Sequence, residues 1–391
     1  MSSILSNRVQ KVKPSATLAV TAKANELKAK GVKVVPMGSG EPDFDTPSNI
    51  QKAAVDAIRG GQTRYTAVDG TAELKSAIRE KFLRDNNLKY SANEVMASCG
   101  GKQVFYNLCQ AILNKDDEVI IPGPYWVSYP DMAILADATP VIIETGLEQD
   151  FKITPEQLES SITKKSKLLV LNSPSNPTGA VYTSEEIKEL GKVLERHHQV
   201  YIISDDIYEH ILLGDDDFVN IAMACPKLKD RTIILNGVSK AYAMTGWRIG
   251  YAAGPQDIIK AMKKIQGQST SNPTSIAQAA AVEALTGEQT FIETMVAAFS
   301  RRHAFLLESL NAIDGIQCPS SSGAFYSFPK VQGLIDRLGL IDDVEFATYC
   351  LEKLNIALVP GSAFGAPGYA RFSFATSMDA IKEAVDRLAN A

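Results

Sequence analysis

KLLVLNSPSNPTGAVYTSEEIKELGKVLERHHQVYIISDD, residues 167–206, decides the fold. It opens on one continuous apolar run, KLLVLNSP (167–174), and closes on another, VYIISDD (200–206). Runs that do not alternate polar with apolar suit strands covered on both faces. Between them, Thr183-Ser184-Glu185-Glu186 precedes IKELGKVLERH, a capping-box signal for the start of a helix. A strand, a helix and a second strand form the repeating unit of a doubly wound α/β domain.

The same alternation runs outward over roughly residues 90–255. Further strands are predicted at NEVMAS (93–98), DEVIIPG (117–123), TPVIIE (139–144), TIILNG (232–237) and IGYAAG (249–254). The ends read differently. The N-terminal part carries the Pro/Gly-rich PMGSGEPDFDTP, and beyond about residue 295 helix-like runs surround GAFYSFP (323–329) and ARFSFAT (370–376). A large α/β domain over 46–295 is expected, with 1–45 and 296–391 forming a smaller α+β domain.

The chain has 391 residues, 45% of them hydrophobic, enough for a large buried core. A net charge of −5 with scattered Lys and Arg gives no basic face for nucleic acid. No stretch reaches the ~18 apolar residues that a bilayer span needs. The opening MSSILSNRVQKVKPS has no apolar core of a secretory signal. Cys99, Cys109, Cys225, Cys318 and Cys350 are odd in number and make no C-x-x-C pair, as suits free thiols in a reducing compartment. A cytoplasmic protein is expected; a mitochondrial one whose transit peptide has been removed is the alternative.

Common nucleotide-binding glycine loops are absent. No metal is expected: the run Gly214-Asp215-Asp216-Asp217 reads as a solvated turn, and His197, His198, His210 and His303 have no metal-ligand spacing. The informative segments follow the candidate strands. Ser98-Cys99-Gly100-Gly101-Lys102-Gln103 joins a strand to a helix, where free amides can bind phosphate, although it also reads as a plain glycine turn. Asn172-Ser173-Pro174-Ser175-Asn176-Pro177-Thr178-Gly179 presents the Asn176 amide from a rigid loop. In Ser204-Asp205-Asp206-Ile207-Tyr208 a carboxylate and a phenol leave a strand end; Asp206 reads as a helix N-cap and Asp205 does not. Most specific is GVSKAYAMTGWRIG (237–250), with Lys240 after an apolar strand and Arg248 eight residues on. A desolvated lysine has a lowered pKa and can form a Schiff base, and an arginine fork suits a phosphate.

Together these segments resemble the class I aminotransferases of the aspartate aminotransferase type. The likeness covers nearly the whole chain: Lys13-Pro14-Ser15-Ala16-Thr17, Gly40-Glu41-Pro42-Asp43-Phe44, Tyr65-Thr66, Pro124-Tyr125-Trp126, the NPTG loop, the lysine segment, Gly323-Ala324-Phe325-Tyr326 and Arg371-Phe372-Ser373. It implies the fold-type I architecture, with a mainly parallel seven-stranded sheet, and pyridoxal 5'-phosphate as cofactor.

By this resemblance Lys240 carries the cofactor and shuttles the proton, and Asp205 pairs with the pyridine nitrogen. Tyr208 and Asn176 hydrogen-bond the phenolic oxygen, and Trp126 stacks on the ring. Gly101, Lys102, Ser239 and Arg248 surround the phosphate, and Tyr65 reaches the phosphate of the neighbouring subunit of a homodimer. Arg371 grips the substrate α-carboxylate, and the backbone at Gly40 closes over it. The far carboxylate of a dicarboxylate would meet Ser15, Thr17 and Lys102, with Lys13 near the ring carboxylate of prephenate. Ser15 and Thr17 would share one side if their segment is extended; their hydroxyls capping a helix is the alternative. The implied reaction is reversible amino transfer between L-aspartate and 2-oxoglutarate, with transamination of prephenate to arogenate as a further reaction. An aromatic or neutral amino-acid aminotransferase, a β-lyase and a cofactor-binding regulator are the other readings. The Asn176–Pro177 peptide is expected to be cis, and Gly123–Pro124 with it.

Overall fold

A computed structural model describes residues 4–12, 14, 16–214 and 217–391. Twelve strands occur among them, in chain order β1 (Val35–Pro36), β2 (Val95–Ser98), β3 (Glu118–Pro122), β4 (Thr139–Ile143), β5 (Ser166–Asn172), β6 (Tyr201–Asp205), β7 (Thr232–Gly237), β8 (Gly250–Ala253), β9 (Tyr326–Ser327), β10 (Ile356–Ala357), β11 (Val359–Pro360) and β12 (Ala370–Ser373).

All seven central strand predictions coincide with β2 to β8, which form one sheet in the order β2-β8-β7-β6-β5-β3-β4. Neighbours from β7 through β4 are parallel, and only β8 runs against its two neighbours. Residues of β2, β7 and β8 are buried throughout, because helices cover both faces. The helix Gly101–Ile112 packs on one face, with Val104, Phe105 and Leu108 in a core shared with Met96, Leu235 and Ala252. The helix Ser184–Arg196 covers the other, setting Ile187, Leu190 and Leu194 against Leu169 and Ile202. Its expected capping box is present: the Thr183 hydroxyl accepts from the Glu186 amide, and Glu186 returns the bond. His197 stands at its C-terminus and bonds Glu159 at 2.8 Å.

A second core is built mainly from both ends of the chain, with Tyr208 and Ile211 of the turn after β6 joining it. It joins Val35 and Met37 to Phe299, Leu306, Phe346, Ile356, Phe372 and Leu388. Its strands are short: β1 pairs with β10, and β11-β12-β9 make a three-stranded antiparallel sheet. GAFYSFP and ARFSFAT therefore contribute two and four strand residues. The long helix Thr290–Asn311 carries Phe299 and Leu306 into this core.

Among the described residues no helix is long and apolar enough to cross a membrane. The peptides Asn176–Pro177 and Gly123–Pro124 are cis, as expected, and Ser173–Pro174 is cis as well.

Candidate active site

In the parallel strands every C-terminal end points to one edge of the sheet, the edge at which open α/β sheets bind ligands. A cavity of about 280 Å³ opens there. Its lining includes Gly40, Gly101, Lys102, Trp126, Asn176, Asp205, Tyr208, Ser239, Lys240, Arg248 and Arg371, so eleven of the site residues expected from sequence meet in one place. Tyr65 is not among them; it is 91% exposed, in a surface recess with Arg64 and Thr66. Lys13 and Ser15 lie outside the described residues, as does the Thr17 side chain, together with Asp215 and Asp216 of the acidic run. The backbone of Thr17 belongs to the helix Ala16–Ala29. This corrects the extended reading, because a helical turn does not aim residues two apart in the same direction.

Lys240 follows β7 by three residues, and its ammonium donates to the Gly40 carbonyl. Desolvation lowers its pKa, and the guanidiniums of Arg371 and Arg248 lower it further, to about 8, against the opposing pull of Glu41 and Asp205. An amine that is substantially neutral near pH 8 is a nucleophile and a proton carrier, which a surface lysine is not.

Asp205 ends β6 at the floor of the cleft. Burial raises its pKa to about 6, against a hydrogen bond from the Tyr129 hydroxyl at 2.5 Å, the Ile207 amide and the charge of Lys240. A carboxylate poised this way gains by meeting a cationic or N–H partner. Asn172, at the end of β5, ties the floor together. Its amide donates to the Asp205 carbonyl at 3.0 Å, and its carbonyl accepts from the Asn176 amide at 2.9 Å.

The anion cradle rests on what is missing from two glycines. Gly100 has φ +84°, and a Cβ there would lie 2.3 Å from the Arg248 guanidinium. A Cβ on Gly250 would fall 2.3 Å from the Gly101 nitrogen. The helix Gly101–Ile112 can therefore start directly over β8, with its first amides open to the cleft and its dipole favouring negative charge. Arg248, itself at φ +58°, is held by the Thr245 carbonyl at 2.9 Å. Lys102 sits 5.1 Å from the centre of the Trp126 ring and 3.1 Å from the Ser128 hydroxyl. Burial and Arg248 lower its pKa.

Opposite the cradle, Arg371 comes from β12 and is 2% exposed. It donates to the Asn176 side-chain carbonyl at 2.8 Å and to the Gly38 carbonyl at 3.0 Å, above the Tyr326 ring at 4.3 Å. Its Nε is buried without a hydrogen-bond partner, so the fork retains donor capacity for a carboxylate. Tyr208 and Tyr326 join hydroxyl to hydroxyl at 2.9 Å.

Sequence reasoning missed Tyr129, Asn172 and Tyr326, whose apolar surroundings make them look like core or turn residues. Asp206 is not the N-cap that its sequence position suggests. It is buried, accepts from the Ser204 hydroxyl at 2.6 Å and from Asn220 at 2.7 Å, and faces away from the cleft.

The donor set fits pyridoxal 5'-phosphate: an amine of lowered pKa, a carboxylate at the floor, an indole on one side and a cradle of amides and guanidinium. A family model for aminotransferase class I and II matches residues 32–388. The chain is 57% identical to an aspartate/prephenate aminotransferase of Nitrosomonas europaea, covering 99% of each chain. An aspartate aminotransferase of a Bacillus species is 49% identical over 99% of each. Among solved structures, the aspartate aminotransferase of Rhizobium meliloti aligns with TM-score 0.95 at 46% identity, over 100% of this chain and 99% of that one. The Thermus thermophilus aspartate aminotransferase, solved with maleate, aligns with TM-score 0.93 at 44% identity, over 100% of both.

The lowered Lys240 pKa has a direct readout. In the cofactor-free protein, modification of Lys240 by a small amine-directed reagent should rise with pH, pass half its plateau at about 8 and then level off. Solvent-exposed lysines should keep rising toward their usual value of about 10.4. Mass mapping across a pH series measures both; a Lys240 profile that follows the surface lysines refutes the assignment.

Proposed function

The chain belongs to the class I and II aminotransferases, and from that premise we propose that it is an aspartate aminotransferase, moving the amino group reversibly between L-aspartate and 2-oxoglutarate to give oxaloacetate and L-glutamate. Prephenate, which the relative from Nitrosomonas europaea carries in its name, is the further acceptor, giving arogenate. The enzyme depends on pyridoxal 5'-phosphate and has the fold-type I architecture. The observation that carries the reading is that Lys240, Asp205 and Arg371 line one cleft beside a cradle for phosphate.

When bound, the cofactor supplies an electron sink for charge developing at the substrate α-carbon. The protein does the rest. Lys240 would hold the cofactor covalently, and its free amine would move a proton at the substrate α-carbon. Asp205 keeps a proton on the ring nitrogen, and Tyr129 holds Asp205 in line. Tyr208 and Asn176 donate to the phenolic oxygen, and Trp126 covers the ring. Gly101, Lys102, Ser239 and Arg248 bind the phosphate. Arg371 binds the α-carboxylate, and the Gly40 backbone closes over it.

For the far carboxylate we take Lys102, with Ser15, Thr17 and Lys13 from the N-terminal arm, because a buried unpaired charge is costly. Maleate in the Thermus thermophilus relative is itself a dicarboxylate. The exposed Tyr65, with Val55 and Ile58 exposed nearby in sequence, supports a homodimer in which Tyr65 reaches the partner's phosphate. Five free cysteines support a reducing, cytoplasmic setting. Distinct cores support two domains, one over 46–295 and one from 1–45 with 296–391.

Borohydride treatment of the yellow holoenzyme should fix the cofactor on Lys240, and Lys240→Ala should keep its fold and lose transamination; a label on another lysine refutes the role. In Lys102→Ala, kcat/KM for aspartate should fall at least about tenfold more than for alanine or phenylalanine, because only aspartate strands a second charge. Equal losses would withdraw the dicarboxylate reading. Mixing inactive Lys240→Ala subunits with a cofactor-weakened Tyr65→Ala variant should regain activity, since half the sites in each mixed dimer then have both residues. No gain on mixing would remove the shared site.

A further inference from the structure

Behind the cleft, on the far side of the turn that follows β6, lies a polar cluster that the proposed chemistry does not use. Lys81, on the helix Ala72–Asn86, is fully buried and contacts the Glu209 carboxylate directly. Its ammonium also donates to the Asn86 side-chain carbonyl at 2.8 Å and stands 3.7 Å from Asp85. Glu209 is 4% exposed and accepts from Asn86 at 2.9 Å and from Asn236 at 2.7 Å. Asp85, Glu209 and His210 come close enough to hold a metal ion, but the Lys81 ammonium already supplies the positive charge there.

The sequence position of this cluster is informative. Asp205 and Tyr208 face the cleft, whereas Asp206 and Glu209, one residue after each, face the interior. The turn between them is drawn tight by its own backbone: Asp206 N–H donates to Leu235 at 2.9 Å, Glu209 N–H to Asp206 at 2.9 Å, and Ile211 N–H to Tyr208 at 2.8 Å. Glu209 and Tyr208 are adjacent in this hydrogen-bonded turn, so the backbone links the position of one to that of the other. Burial works to raise the Glu209 pKa, but Lys81 above all, with His210 and Asn86, brings it to about 2, so Glu209 is held as a carboxylate. Apolar residues of the same volume would stabilise a core at least as well. A charged, three-way tie gives direction instead, because each bond fixes the carboxylate along one line.

We propose that Glu209, clamped by Lys81, Asn86 and Asn236, is a positioning residue that aims the Tyr208 hydroxyl at the cofactor's phenolic oxygen. This rests on the role assigned to Tyr208 above. A donor to that oxygen stabilises its negative charge, so loosening Tyr208 makes the cofactor's chromophore more basic. Asp85, Asp206, His210, Arg84, Tyr242 and Tyr251 are the other charged or titratable groups facing the clamp among the described residues, and the variants below leave all six in place.

The test measures, in the holoenzyme, the midpoint pH of the cofactor's visible absorption change. Tyr208→Phe reports first on the underlying role and should raise the midpoint. Asn86→Ala, Glu209→Gln and the charge-neutral pair Lys81→Met with Glu209→Gln then loosen the clamp in graded fashion, with melting curves identifying the folded ones. Every folded variant should raise the midpoint, and the double variant by about half a pH unit or more, roughly a threefold change in the proton equilibrium. In a Tyr208→Phe background the same changes should add nothing, because the clamp acts only through that hydroxyl. If Tyr208→Phe leaves the midpoint unmoved, the phenol's role falls and the proposal with it. If Tyr208→Phe moves it and the clamp variants do not, or if their shifts persist without the hydroxyl, Glu209 is not a positioning residue.

Discussion

An ammonium set among two guanidiniums in a desolvated cleft is electrostatically unfavourable, and that conflict at Lys240 organises the molecule. Arg371 and Arg248 approach it from β12 on one side and from the turn before β8 on the other, while Asp205 sits below. No single element could hold three cations so close. The sheet fixes Lys240 and Asp205 at the ends of neighbouring parallel strands, and the second core brings Arg371 down onto them. The resulting repulsion lowers the lysine's proton affinity and favours any anionic group that enters.

The negative side of the same balance rests on few residues. Among the described residues that line the cleft Asp205 is the one carboxylate, and Tyr129 takes one of its oxygens, while Glu41 adds its pull on Lys240. Asp206 and Glu209 are turned inward, where Asn220, Lys81, Asn86 and Asn236 satisfy them. One short turn thus serves two chemically separate compartments, one on either face.

Much of this is legible in the chain alone. The central strands stand out because a strand buried on both faces cannot alternate, so its apolar run contrasts with the capped, amphipathic helices around it. Lys240 stands out because a charged residue follows such a run directly. What the sequence hides is of two kinds. Tyr129 and Tyr326 act through hydroxyls, but their rings serve the cores, and a phenol in an apolar run gives no polar signal. The second kind depends on partners far away in the chain: Asp206 looks like a helix cap because Asn220 and Lys81 cannot be paired with it by spacing. Thr17, expected to be extended, belongs to a helix that has almost no amphipathic pattern to reveal it.

The contact between Gly250 and Gly101 has a consequence for how this site can vary. The strand and the helix meet with no room for a methyl group on Gly250, so their separation is set by backbone alone. Side chains around the cleft can be exchanged one at a time, each altering what is bound. The distance from the sheet to the helix start cannot be adjusted in that way, since the first available step, a single carbon, already collides. The cradle is thus a fixed gauge: variation in such a protein is channelled into the mouth and the far wall of the cleft, while the anion-binding end keeps one span.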